Sequence, residues 1–211
     1  MGHYVNFAVL SDIQTSNQIQ LYEAFLKSDL KLFTNALEKG ANPLMKYPDE
    51  DLCVLYQALQ TPGSSEFIWN SMSRGYEPIN VTNFCYQAVK YVCKSEDFDN
   101  FKVFVNCCSL YPAWEYVNLF LLNSLIKKLN NANVKNIKQF IEVIFKARVS
   151  PNIPDQEGIT PLQNVVKNIH LNYDNKCQII KMLLSSDNIN IDTFGQGELR
   201  KILEMDYTDI R

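Results

Sequence analysis

The chain has 211 residues, 46% of them hydrophobic and 20% charged, with a formal net charge of −3. This length suits one or two compact domains, or about six repeats of roughly 33 residues. The apolar content is that of a packed protein, which excludes long-range disorder, and the small charge gives no reason to expect nucleic acid or an anionic membrane as a partner.

The sequence also lacks signals for insertion into or passage through a membrane. No segment approaches about 18 consecutive apolar residues, and the N-terminus has no basic region followed by an apolar core. We therefore expect a soluble, cytosolic chain or a cytosolic piece of a longer polypeptide, with no membrane insertion by this segment.

The first predicted elements are an N-terminal segment and two short helices. Residues 1–17 are predicted to be an N-terminal cap or a frayed end, and a helix is predicted from Gln18. A second helix follows Ser28-Asp29. It is predicted to stop at Gly40-Ala-Asn-Pro43, because glycine suits the left-handed position after a helix and proline cannot continue it.

The same plan of helix, break, helix and proline-containing end recurs along the chain. The ends at Gly40, Gly75 and Leu110 are spaced at about the ankyrin period of roughly 33 residues. A fourth pair of helices ends at Val149-Ser-Pro-Asn152. The predicted units are 18–50, 51–80, 81–115, 116–155, 156–195 and a partial unit 196–211.

The join before the fifth unit is the most informative stretch. Asp155–Gly158 is predicted to be a polar turn in which Gly158 takes a positive φ. Thr160 is predicted to cap a helix that starts at about Pro161. The apolar residues Leu162, Val165, Val166 and Ile169 then fall at i, i+3, i+4 and i+7, which places them on one buried face.

The string Gly-x-Thr-Pro-Leu in this join resembles the Thr-Pro-Leu-His-x-Ala signature of ankyrin repeats, with Gln163 in place of histidine and Val165 in place of alanine. We therefore predict an all-α fold, an ankyrin-repeat solenoid of about five helix-turn-helix repeats plus a partial sixth, over residues 18–211. Helical repeats of the HEAT or tetratricopeptide kind remain alternatives. The polar, hairpin-like linker after each unit favours ankyrin.

The six cysteines have neither a disulfide nor a metal-site pattern. They are Cys53, Cys85, Cys93, Cys107, Cys108 and Cys177. No Cys-x-x-Cys pair occurs, the chain has two histidines, and most of these cysteines lie inside apolar helical patterns. We predict buried, reduced thiols.

No catalytic constellation is present in the sequence. His3 lies near the terminus, His170 is predicted at a helix end, and glycine-rich phosphate loops are absent. The acidic runs Asp49–Asp51 and Asp97–Asp99 lack the spacing of a calcium loop and suit helix starts. We predict that the chain is not an enzyme and binds no cofactor or metal.

Four aromatic residues in or beside the predicted linkers form a candidate partner surface, since repeat proteins present binding surfaces there. They are Tyr47, Tyr76, Tyr111 and Trp114. The alternative is that these rings cover neighbouring repeats.

Several strings, in order along the chain, resemble one family. They are Leu55–Leu59 with Thr61–Gly63 and Phe67-Ile68, then Val149–Ile153 with Asp155-Gln156 and Thr160–Leu162, then Ile189–Asp192 with Gly197–Arg200 and Ile202-Leu203. With weaker similarity between these strings, the resemblance covers about residues 18–205. It is to the N-terminal ankyrin region of insect cation channels in the ankyrin-rich class of transient receptor potential channels.

This resemblance implies the cytosolic N-terminal part of a homotetrameric, non-selective cation channel that senses noxious heat, chemical irritants or mechanical stimuli. The segment would lie on the cytoplasmic side of the plasma membrane, contact the rest of the channel or a protein partner, and serve assembly or gating. A stand-alone ankyrin adaptor or inhibitor that binds a protein partner is the alternative.

Overall fold

A computed structural model describes residues 12–47, 51–74, 81–110, 117–118 and 120–186. Within these ranges the chain forms α-helices and no named strand, which confirms the predicted all-α class for this part. The predicted partial unit 196–211 lies outside the described residues. The helices are α1 (Asp12–Leu26), α2 (Leu30–Glu38), α3 (Val54–Gln60), α4 (Ser65–Met72), α5 (Val81–Ser95), α6 (Phe98–Leu110), α7 (Leu121–Lys127), α8 (Val134–Lys146), α9 (Pro161–Lys167) and α10 (Tyr173–Leu184).

The chain divides into two compact units, and the first is Met1–Phe120. In this unit α1 packs on α2, α3 on α4, and α5 on α6. The first helices of these pairs, α1, α3 and α5, also contact one another in that order, as do the second helices α2, α4 and α6. Within this unit, adjacent helix pairs therefore cover one another, as expected of helical repeats.

The second unit is Leu121–Arg211. Here α7 packs on α8 and α9 on α10, while α7 also contacts α9. Both units thus use the same pairing, which is compatible with an ankyrin-like helical array. The number of repeats stays a prediction.

A cluster of phenylalanine rings illustrates why these pairs need each other. Phe67 of α4 contacts Phe33 of α2 and Phe25 of α1 edge-to-face, with ring centroids 4.9 and 5.4 Å apart. Phe33 is completely buried. Because burying one such ring contributes about 1.5–3 kcal/mol, a helix pair separated from its neighbour would lose a large part of its stability.

The first helix begins at Asp12 and not at Gln18 as predicted, so α1 extends into the predicted cap of residues 1–17. The residues between these two positions are mostly polar, and hydrophobic periodicity gives no signal there. This part of α1 does make a contact that is distant in sequence. The Asn17 side-chain amide donates a hydrogen bond of 2.9 Å to the carbonyl of Lys39.

The predicted helix start at Thr160-Pro161 is confirmed. The Thr160 hydroxyl accepts a hydrogen bond from the Gln163 amide at 3.3 Å, and the Gln163 side chain accepts one from the Thr160 amide at 2.9 Å. This reciprocal pair satisfies two backbone donors that the first turn of a helix leaves without partners. Gln163, which stands where ankyrin repeats have histidine, therefore has a structural role.

The predicted apolar face of this helix is wrong at Ile169, which is 86% exposed. Helix α9 ends at Lys167, and Asn168 leaves the helical conformation with φ −68° and ψ 109°. The Asn168 side-chain amide donates a hydrogen bond of 2.9 Å to the carbonyl of Leu129. This bond holds the chain in a direction that carries Ile169 away from the core.

Candidate interaction surface

Of the four predicted surface rings, the structure describes one. Tyr47 is half-buried, and its ring stacks on that of Tyr22 in α1 with centroids 4.6 Å apart and planes inclined by 12°. Tyr76, Tyr111 and Trp114 lie outside the described residues. The geometry at Tyr47 fits the alternative in which the ring covers a neighbouring helix, and its role in binding stays a prediction.

The segment between α2 and α3, residues 40–53, is the first finger. An antiparallel bridge joins Lys46, in the middle of this segment, to Cys53 at its end, in keeping with the predicted hairpin-like linker. Gln18 of α1, which is 2% exposed, holds its base. The Gln18 side chain donates to the carbonyl of Asn42 and accepts from its amide, both at 2.9 Å.

The segment between α8 and α9, residues 148–160, is the last finger. Its tip is a turn in which the Asp155 carboxylate accepts hydrogen bonds of 2.9 Å from the amides of Glu157 and Ile159. Gly158 has φ +75°, which confirms the predicted positive φ. The side chains of Asn164 and Lys127 reach the same carboxylate at 2.9 and 3.0 Å.

This network sets the charge state of the finger. Burial by itself raises the pKa of Asp155, but hydrogen bonds from Asn164, the Ile159 amide, Lys127 and the Glu157 amide outweigh it and hold the pKa well below the usual range. The carboxylate is therefore ionised at neutral pH and ties the finger to α7 and α9.

The buried side chain of Asn123 also ties the last finger to α7. The Asn123 side-chain amide donates a hydrogen bond of 2.8 Å to the carbonyl of Ile153. The Asn123 side-chain oxygen accepts one of 3.0 Å from Asn164. Both fingers thus form hydrogen bonds with a side-chain carboxamide on the first helix of the preceding pair, Gln18 of α1 or Asn123 of α7.

The turns inside the helix pairs of the first unit are linked in a similar way. The Asn100 side chain of α6 donates to the carbonyl of Thr61 at 2.7 Å, and the Asp97 carboxylate accepts from the amide of Gly63 at 2.8 Å. Thr61 and Gly63 lie in the turn between α3 and α4. Side chains of one pair therefore bind the backbone of the preceding pair.

In the second unit the corresponding contact is made by Asn131. Its side-chain oxygen accepts hydrogen bonds from the Asn172 amide at 2.8 Å and from the Asn175 side chain at 3.0 Å. In both units, hydrogen bonds therefore link one helix pair to the adjacent pair.

All six cysteines are buried and free, which confirms the predicted reduced thiols. Burial raises the pKa values of Cys53, Cys85 and Cys107 to about 12, and burial beside Cys85 and Cys107 raises the pKa of Cys108 well above its usual value. Because the thiolate is the reactive form of cysteine, these four side chains are poorly suited to nucleophilic chemistry at neutral pH.

The described residues contain no group of three or more His, Cys, Asp or Glu side chains that could hold a metal ion. None of their helices is both long enough and apolar enough to cross a membrane.

The sequence analysis did not predict Gln18 and Asn123 as residues that anchor the fingers. Gln18 does leave a signal, because it lies three positions before Leu21 and seven before Phe25, on the apolar face of α1. Asn123 stands beside Leu122 in an apolar run. A carboxamide on a face that should be apolar indicates a buried hydrogen-bonding role.

In the described residues, the fold and its contacts define an all-helical protein of paired helices, compatible with an ankyrin-like solenoid, in which the two described fingers are held by buried carboxamides. In sequence the chain is 28% identical, over 200 residues, to the transient receptor potential cation channel protein painless of Drosophila melanogaster. This similarity supports a relationship to painless-like channels.

The alignment covers 92% of this chain and 22% of painless, so the chain spans about a fifth of the length of that relative. No family model matches the chain. No solved structure gives a significant match.

Proposed function

We propose that this chain is the cytosolic, N-terminal ankyrin-repeat region of an insect sensory cation channel, and that it serves assembly, protein interaction or gating. The observation that carries the proposal is the similarity to painless along 92% of the chain. In this proposal the region lies on the cytoplasmic side of the plasma membrane as part of a homotetramer, and the stimulus is noxious heat, an irritant or a mechanical force.

The contacts within each unit support a mechanical role. A stack in which each pair contacts its neighbours bends or twists as a series of small changes, and a partner that binds one shape better shifts the whole stack toward it. The bonds from Asn100 to Thr61 and from Asn164 to Asn123 join neighbouring pairs. They are the contacts through which such a change would pass.

We also propose that this region catalyses no reaction. Burial raises the pKa values of four cysteine thiols, Cys53, Cys85, Cys107 and Cys108. His170 is exposed in the turn between α9 and α10. A broad hydrolase screen is expected to yield no turnover, and reproducible turnover would contradict this part of the proposal.

Reading the coding sequence beyond Arg211 tests the channel assignment. Six apolar spans are expected downstream, and a stop codon at that point would overturn it in favour of a stand-alone adaptor. A second test compares whole-cell currents of the complete channel with those of a channel carrying Asn100→Ala and Asn123→Ala. Surface expression serves as the control for folding, and the stimulus threshold is expected to move while expression is retained.

A further inference from the structure

Helix α5 differs from its neighbours in the face that it leaves uncovered. One side of α5 is buried against the first unit through Phe84, Cys85, Ala88, Val89 and Val92. The opposite side exposes Asn83, Tyr86, Lys90 and Lys94, with Gln87 half-buried among them. We call these five residues the α5 face.

The spacing of the α5 face makes it one continuous stripe. Its residues recur at intervals of three and four, which brings them to the same side of a helix on successive turns. From Asn83 to Lys94 the stripe is about 16 Å long. In α3, the first helix of the preceding pair, no residue is exposed.

The α5 face carries positive charge only. Between Val81 and Ser95 the helix contains two lysines, Lys90 and Lys94, and no acidic residue. Neither lysine forms an ion pair with a carboxylate in the described part of the chain, where Asp97 is held by the Gly63 amide. The face is thus locally basic in a chain whose net charge is −3.

Tyr86 adds a fixed aromatic surface one turn before Lys90. Its side chain is 38% exposed, and its ring rests edge-to-face on Phe120 with centroids 5.3 Å apart. A tyrosine that is already held in place offers apolar area and a hydroxyl group at a low cost in conformational entropy.

We propose that the α5 face is a docking surface for an acidic peptide segment of a protein partner. Carboxylates of the segment would bind Lys90 and Lys94, and an apolar side chain beside them would rest on Tyr86. Charge complementarity selects this partner, because two lysines flanked by a tyrosine and two carboxamides suit a few spaced carboxylates. A nucleic acid or an anionic membrane would favour a larger basic surface.

The test uses the complete 211-residue chain and a pool of short fluorescent peptides with glutamate fixed at two positions. A second pool has glutamine at the same two positions. The chain is expected to bind the glutamate pool in preference to the glutamine pool. Binding should weaken as salt is added, since exposed charges are screened.

Variants of the chain then locate the site. The double variant Lys90→Glu with Lys94→Glu is expected to lose about tenfold or more in affinity, as two charge-assisted contacts become repulsive. Tyr86→Ala is expected to lose about fivefold in affinity, because truncating an aromatic anchor that the bound peptide covers costs 1 kcal/mol or more. The matched control, Lys31→Glu with Lys102→Glu, changes the same net charge at exposed sites on α2 and α6 and should bind normally.

Equal binding by both double variants, equal binding of the two peptide pools, or no binding of either pool would each overturn the proposal. So would binding of anionic vesicles or single-stranded RNA that depends on Lys90 and Lys94 while the peptides fail to bind. All changed side chains are exposed, and unchanged far-UV circular dichroism will show that each variant is folded. The outcome is independent of the channel assignment, which the downstream coding sequence tests.

Discussion

The first and last fingers lie at equivalent points of two helix pairs and are both held by a carboxamide, but the last finger has an ionised anchor as well. The first finger is fixed by the neutral carboxamide of Gln18, which makes both a donor and an acceptor contact with Asn42. The last finger is fixed by the ionised carboxylate of Asp155 and its partners Asn164 and Lys127. A charged group is therefore part of the anchor of the last finger and not of the described anchor of the first.

One aspartate from each finger shows how burial changes the contribution of a carboxylate to stability. Asp51 of the first finger is fully exposed and lies 3.9 Å from Lys46, whereas the side chain of Asp155 is 9% exposed and lies 3.0 Å from Lys127. Exposed pairs contribute little, because water screens them and two long side chains must be ordered. A buried carboxylate with several donors leaves all of them unsatisfied when it is removed.

The largest expected effect is therefore that of Asp155→Ala. The amides of Glu157 and Ile159, and the side chain of Asn164, lose their acceptor, and we expect a loss of about 3 kcal/mol in the free energy of unfolding. Urea denaturation followed by far-UV circular dichroism measures it. Asp51→Ala is the matched control and should leave the urea midpoint unchanged, and equal effects of the two variants would contradict the distinction between the fingers.

Acid should weaken the last finger selectively. The folded pKa of Asp155 lies below its usual value, so its contribution is complete above a pH of about 4 and is lost as the pH falls toward the folded pKa. The difference in stability between the wild type and Asp155→Ala should therefore shrink by about 2 kcal/mol in strong acid. Urea titrations at several pH values measure this difference, and a constant difference would be inconsistent with an ionised anchor.

Removing the neutral anchor should cost less and should not depend on pH. Gln18→Ala breaks both contacts with Asn42 and leaves a part-buried amide and carbonyl without their partner, for an expected loss of about 2 kcal/mol. Gln20→Ala, two positions along the same helix at a half-buried site, is the control. If the two glutamine variants unfold at the same urea concentration, Gln18 does not anchor the first finger.

The smallest expected effects lie where each finger leaves its helix. Gly40 and Arg148 both take left-handed conformations, with φ +91° and +59°, and their amides bond to Leu37 and Phe145 at 3.0 and 2.9 Å. A side chain in this conformation costs about 1 kcal/mol relative to glycine. Gly40→Arg should therefore destabilise the chain by about that amount, while Arg148→Gly should stabilise it.

The open space around Gly40 means that steric clashes at Cβ do not contribute to the effect of Gly40→Arg. A Cβ added there would meet no atom within 4 Å, so the backbone conformation alone sets the cost. Thermal unfolding of both variants measures the two shifts. Shifts of the same sign would show that conformation is not what distinguishes the two positions.

Residue patterns predicted the local elements well wherever the signal lies within a few neighbouring positions. The cap at Thr160 and the positive φ at Gly158 follow from single side chains and their backbone preferences. Prediction failed at Asp12 and at Ile169, near which side chains form hydrogen bonds with residues distant in sequence, from Asn17 to Lys39 and from Asn168 to Leu129. Those partners are far apart in sequence, and no local pattern records them.

By itself, the sequence determined the all-α class, the alternation of helix and break, and the burial of the cysteines, because propensity and hydrophobic periodicity act over a few residues. Only the tertiary structure decided which polar side chains anchor the fingers and which face of α5 stays uncovered. Both depend on how closely one helix pair approaches the next, and burial and the geometry of hydrogen bonds arise only when the pairs are packed together.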